Sequence, residues 1–203
     1  MKLFFLDLET TGVKYWKNGI HQISGCIEVD GIVKEYFDFK VQPHPLCTIE
    51  DEALAVSNLT KEVVLAYTPM KEVYTKLILM LARYVDKYNK TDKYFIVGYN
   101  NASFDNAFLR EFFIHNASTE TERMYGNYFG SWFWSNSLDV MVLASEKLKE
   151  LRYRMLDFKL KTVAKQLGIS VDDTRLHDAA YDIELTRQVY YASTRQIDCS
   201  DLL

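Results

Sequence analysis

The chain opens on an apolar run, Leu3-Phe4-Phe5-Leu6, that leads straight into two carboxylates two positions apart, Asp7 and Glu9. The run predicts a buried strand over 2–9. Side chains at i and i+2 of a strand share a face, so Asp7 and Glu9 stand together on it. Apolar positions on both sides of Asp30-Gly31 predict two further strands within 21–41, joined by a tight turn. Pro43 and Pro45 exclude regular structure from 42–51. Ser57 or Asn58 then suits the N-cap of a short helix in 57–64. Over 68–89 the spacing of Val73, Leu77, Leu81, Tyr84 and Tyr88 predicts a long helix, capped by Thr68 with Pro69 in its first turn. A buried strand over 94–100 precedes a helix over 102–115, whose inner face carries Phe104, Phe108, Leu109 and Phe112. Residues 116–136, polar and then aromatic with two glycines, predict an irregular surface segment. Helices follow over 137–148, over 156–169 with a stop at Gly168, and over 177–193. Strands first, then helices around a later strand, predict a mixed α/β domain.

Composition changes this picture little. With 203 residues, 48% of them hydrophobic and 26% charged, the chain predicts one folded domain over 1–203. No signal peptide is expected, and the longest clean apolar run, 77–82, is far too short to span a bilayer. Cys26, Cys47 and Cys199 are few and widely spaced, which favours neither a disulfide framework nor a zinc site and suggests a reducing, cytoplasmic compartment. A net charge of −4 argues against a protein that grips long nucleic acid through a basic surface. It leaves room for an enzyme that holds a few nucleotides at carboxylate-bound metal. Among the aromatic residues, Trp132, Phe133 and Trp134 are either a stacking wall for unpaired bases or a cap on the core, and the core is the simpler assignment.

Three acidic positions stand at the ends of apolar elements: Asp7 with Glu9, Asp105 after the strand over 94–100, and Asp182 near the start of the last helix. His177 lies five residues before Asp182. Five helical residues rotate by about 140°, so His177 belongs on the approach to the helix and can face a site from another side. Each piece alone has an ordinary explanation, Asp105 as a carboxylate at a helix start above all. Together, four converging carboxylates require cations. Hard divalent ions prefer oxygen ligands, and two of them roughly 3.5–4 Å apart suit phosphodiester hydrolysis, with a neutral His able to take a proton from water.

The stretches FLDLETTG (5–12 with its preceding Phe4), NNASFDNAFL (100–109) and HDAAYDIELT (177–186) resemble the three motifs of the DEDD superfamily of 3′–5′ exonucleases. The step from His177 to Asp182 matches the histidine-bearing DEDDh branch. The resemblance covers about 1–193 and leaves a short C-terminal tail. It implies a ribonuclease-H-like fold, a mixed central sheet flanked by helices. It also implies two ions, Mg²⁺ or Mn²⁺, held by Asp7, Glu9, Asp105 and Asp182, with His177 as general base. Substrate contacts fall by the same resemblance on Thr10, Thr11, Gly12, Asn101 and Phe104. Asn100 departs from the family, in which many members carry His there. The implied activity releases nucleoside 5′-monophosphates from the 3′ end of single-stranded nucleic acid, with DNA favoured, as in proofreading. The alternatives are RNA trimming of the ribonuclease T and oligoribonuclease kind, an endonuclease of the ribonuclease H type, and a non-catalytic nucleic-acid-binding accessory protein. A DNA polymerase or a second copy of the chain are the partners the resemblance leaves open; a membrane is not among them.

Overall fold

In a computed structural model that describes residues 1–175 and 179–194, the sheet begins with three antiparallel strands, β1 (Lys2–Thr10), β2 (Ile20–Val29) and β3 (Ile32–Lys40). Asp30 and Gly31 both take positive φ, 51° and 80°, which is what the two-residue turn between β2 and β3 demands. Helices α1 (Asp51–Val56), α2 (Lys61–Leu65) and α3 (Met70–Leu81) precede β4 (Phe95–Gly98). Next come α4 (Asp105–His115), α5 (Glu120–Met124), α6 (Phe129–Trp132), β5 (Leu138–Asp139), α7 (Val140–Lys147), α8 (Leu160–Gln166) and α9 (Ala179–Thr194). Strand order is β3-β2-β1-β4-β5, with β4 parallel to β1 and β5 parallel to β4. This is the expected mixed sheet between helical layers. Among the described residues no helix is long and apolar enough to cross a membrane.

β1 is buried on both faces, and its alternation sorts the core. Phe4, Leu6 and Leu8 join Val73 and Leu77 of α3 and Phe108 and Phe112 of α4. Leu3 and Phe5 join Val140 of α7, Val163 of α8, and Ile183 and Val189 of α9. The pairing of β1 with β2 runs unbroken from Lys2 to Glu9 and shifts only after it. The odd positions Asp7 and Glu9 therefore continue the face of Leu3 and Phe5, toward α9. α9 is held on that face by Glu28 of β2. The Glu28 carboxylate, 1% exposed, accepts from Arg187 Nε at 2.6 Å and from the Tyr191 hydroxyl.

Four local expectations need correction. The helix over 68–89 stops at Leu81, and Pro69 stands at its N-cap in place of Thr68, whose carbonyl accepts from the Gln42 amide at 2.8 Å. Beyond Ala82, Asp86, Asn89 and Asp92 bond their side chains to nearby amides (of Tyr88, Thr91 and Asp86), a local alternative that ends the helix. Ser57 and Asn58 finish α1, a helix the sequence pattern does not predict, and Thr60 precedes α2. The helix over 137–148 begins as strand: Leu138 and Asp139 pair with Val97 and Gly98 before α7 starts.

The fourth correction is the largest. Residues 116–136 are a capped, partly helical segment and carry part of the core. Thr119 and Glu122 form a reciprocal capping box at α5. Asn127, at φ 49°, donates to the Phe113 carbonyl and the Tyr74 hydroxyl, both at 2.9 Å. Phe133 packs its ring against Phe4, Tyr94, Phe113 and Phe129 at centroid distances of 4.8–6.2 Å. Trp132 is 4% exposed and Phe133 1%, so neither offers a face to a base; both are core residues. Half-buried Trp134 stacks on Phe95 at 5.9 Å. Phe133→Ala is expected to destabilise the protein by about 3–5 kcal/mol, read as a shift in the denaturant midpoint at unchanged slope. A loss below about 1 kcal/mol would mean that the segment is peripheral.

Candidate active site

β1 bulges after Glu9 and ends at Thr10, and the residues past it form a fixed loop. Thr11 is fully buried: its amide donates to the Gly19 carbonyl at 2.8 Å, its hydroxyl donates to the Thr48 carbonyl at 2.8 Å and accepts from the Gly19 amide at 2.9 Å. Asn18 closes the loop from inside, accepting from the Lys14 amide and donating to the carbonyls of Thr11 and Thr48. Gly12, at φ 155°, lies so close that a Cβ there would sit 2.4 Å from the Asn18 amide group. Any side chain at 12 would displace that clamp. Half-buried Thr10 donates its hydroxyl to the Gly12 carbonyl at 2.7 Å.

Asp105 opens α4 and is 6% exposed. β4 ends at Gly98, so the Leu8 amide on that side of β1 has no ladder partner. Asp105 Oδ1 accepts from it at 3.1 Å. One carboxylate thus ties the start of α4 to the strand that carries Asp7 and Glu9. The loop before α4 is held by Asp139, which accepts from the amides of Asn100 and Ala102 at 3.1 Å each and caps α7 through the Met141 amide at 3.0 Å. Asn100 takes φ 61° to make that turn. Phe104, half-buried, packs on Phe108 at 5.0 Å and on the core.

The electrostatics bring the acids together. Asp7's carboxyl is pushed well above the usual range, first by burial and then by Asp105, Glu9 and Asp182. Burial pushes Asp105 up to about 7, against the stabilising bonds from the amides of Asp105 itself and Leu8, with Glu9 and Asp139 adding to the rise. Like charges gathered this way resist ionisation and welcome a cation. Their oxygen donors suit hard divalent ions. Among the described residues no three His, Cys, Asp or Glu side chains are drawn into a coordination cluster; Asp105 spends Oδ1 on the Leu8 amide.

Of the residues expected to meet substrate, Thr11 and Asn101 do not present their side chains. Thr11's hydroxyl is spent on the loop, and Asn101 is fully buried. His177 lies outside the described residues. Two features escaped the sequence. Asp139 is one; a helix-start Asp after a two-residue strand carries too little pattern to announce itself. The other is the floor of an open groove of about 780 Å³ that begins at Glu9, crosses Gln22, Ser24 and Asp38, and is walled by 56–59 and by Ala179 and Ala180 of α9. Register explains it: Glu9 faces Gln22, Asp7 faces Ser24, and Ser24 faces Asp38. Asp38 Oδ1 accepts from Gln22 Nε2 at 2.7 Å and from the Ser24 hydroxyl at 2.9 Å.

Comparison with solved structures finds the same fold in E. coli exonuclease I. Its complex with a dT13 oligonucleotide is 20% identical, with a TM-score of 0.69 over 99% of this chain and 43% of that one. The zinc-ion-bound form of the E. coli exonuclease I complex with single-stranded DNA is 19% identical, with a TM-score of 0.70 over 99% and 42%. This chain therefore spans about two fifths of the length of those proteins. No curated protein matches the sequence. The model of the RNase T-type exonuclease family matches residues 4–190. That match takes in all three acidic motifs, and the chain belongs to this exonuclease family of the DEDD superfamily.

Proposed function

We propose that this chain is one 3′–5′ exonuclease domain that removes nucleoside 5′-monophosphates from the 3′ end of single-stranded nucleic acid, with DNA preferred. The observation that carries this reading is the buried Asp105 carboxylate of α4 bonded to the Leu8 amide between Asp7 and Glu9 of β1, where burial, and after it Asp105, Glu9 and Asp182, raise the pKa of Asp7. Family membership gives that meeting its chemistry. The dT13 and single-stranded DNA found with the structural neighbours support DNA as the substrate class.

Asp7, Glu9, Asp105 and Asp182 would hold two divalent ions, Mg²⁺ or Mn²⁺. Bound there, the ions would supply Lewis acidity that lowers the pKa of the attacking water and offsets charge on the leaving oxygen. The chain does the rest. Asp105, fixed by the Leu8 amide, keeps the start of α4 at β1. The clamped Thr10–Gly12 loop brings backbone close to the terminal nucleotide. His177 takes the proton from the attacking water. The groove leading from Glu9 over Ser24 and Asp38 receives the terminal nucleotide.

Matched DNA and RNA strands labelled at the 5′ end, incubated with Mg²⁺ or Mn²⁺ and with a chelator control, test this reading. A ladder shortening one nucleotide at a time, faster on DNA, is expected. Faster loss of RNA would make the enzyme an RNA trimmer, and no metal-dependent product on either strand would refute the assignment.

A further inference from the structure

The chain is acidic overall, yet 147–161 carries six basic side chains against two acidic ones. The segment joins α7 to α8 through a short 3₁₀ turn at Arg152–Arg154. Residues 149–154 are all exposed, with Tyr153 at 73%, and Leu156 is 97% exposed. Two of the cations are locally neutralised, Lys149 by Glu146 at 2.7 Å and Lys161 by Asp173 at 3.0 Å. Arg152 and Arg154 form no ion pair with any described residue. Each lies over an aromatic ring instead, Arg152 over Phe158 at 3.8 Å and Arg154 over Tyr153 at 5.0 Å. A guanidinium held flat on a ring still offers its N–H edge to phosphate.

The position of this arm gives it a purpose. α7 starts at Asp139, whose carboxylate holds the Asn100–Ala102 loop in front of Asp105. Its eight residues carry the chain about 12 Å away. The arm then returns, and the Tyr99 hydroxyl donates to the Phe158 carbonyl at 2.5 Å. The C-terminal end of the arm is thus tied to the segment that leads to Asp105, and its N-terminal end is joined to the same loop through α7. Exposed cations without acidic partners, interleaved with an exposed ring and an exposed aliphatic side chain, match a polymer that alternates phosphates with apolar base faces.

We infer that the arm at 149–156 grips the single strand a few nucleotides upstream of its 3′ end, with Arg152 and Arg154 on phosphates and Tyr153 against a base. The inference rests on the exonuclease reading and adds to it a binding track outside the carboxylate site. An acidic protein partner would meet the cations but leave Tyr153 and Leu156 unused.

The test measures the affinity of R152Q/R154Q, R154A and Y153A for a dinucleotide and for a strand of about twelve nucleotides, by fluorescence anisotropy in chelator. K76Q/K90Q, in α3 and in the loop before β4, removes equal charge as the control. Hydrolysis of both strands is followed in parallel. The double variant is expected to bind the long strand at least tenfold more weakly, with a smaller loss on the dinucleotide. Its dependence of log affinity on log salt should flatten by about 0.7 per arginine removed. R154A, whose ring contact is only with its exposed neighbour, should show part of the same loss with unchanged thermal stability. Equal affinity for the long strand, an equal loss on both lengths, or the same loss in K76Q/K90Q would overturn the inference. Arm-dependent binding without any hydrolysis would keep the arm and refute the exonuclease reading.

Discussion

Asp105→Asn is expected to abolish hydrolysis and, in the same protein, to raise stability. The amide keeps the oxygen that accepts from Leu8 N–H, so the link between α4 and β1 survives. The negative charge does not survive, and with it goes a ligand to the proposed ions. Turnover should fall by about 10³-fold or more, the several kcal/mol of charge stabilisation that bound metal supplies. The stability gain follows from the acid's own titration. Burial raises Asp105 to about 7 from an ordinary value near 3.8. Between those values the folded protein holds a proton that the unfolded chain has lost. The wild-type protein in chelator should therefore lose stability as pH climbs from about 4 to about 7, by up to about 4 kcal/mol. The Asn variant lacks this group's share of the loss. Chemical denaturation at pH 5 and pH 8 reads the difference directly: the variant gains on wild type at pH 8 and much less at pH 5. Equal gains at both values, or full activity in the variant, would show that Asp105 carries neither the charge nor the role assigned to it. The pattern is that of a functional site kept at the expense of stability.

His177→Ala is the second large effect. If His177 accepts the proton of the attacking water, its removal slows the chemical step by roughly 10²–10⁴-fold. Wild-type activity should also fall at low pH once the ring is protonated, because the protonated ring accepts nothing. The variant should lose that part of the pH dependence while still binding strands. Single-turnover rates across pH separate this from an effect on binding. An unchanged rate in the variant would move the base elsewhere.

How much of this was visible in the sequence follows from the range over which each feature is encoded. Asp7 and Glu9 were legible because strand alternation is a two-residue rule, and β1 obeys it up to Glu9. The Asp30-Gly31 turn was legible for the same local reason. Helix ends near 68 and 82 were not, since side chains of Asp86, Asn89 and Asp92 compete for the backbone there. In 116–136 the core assignment of Trp132 and Phe133 holds, but the glycines and polar residues suggest an irregular surface segment, whereas it is partly helical and Phe133 packs on Phe4, far away in the chain. Asp139 was silent for a related reason. Its carboxylate serves amides nearly forty residues earlier, at Asn100 and Ala102. The family resemblance implies substrate contacts at Thr11 and Asn101, and a motif carries no burial: both side chains are fully buried.

The central claim is that the carboxylates of β1, α4 and α9 cut only at a 3′ end. A single-stranded DNA circle and its linear form, incubated side by side with the enzyme and Mn²⁺, test that most directly. The linear strand is expected to disappear into mononucleotides while the circle, which has no 3′ end, persists. Opening of the circle at a comparable rate would contradict it, and would place the same carboxylates in an endonuclease.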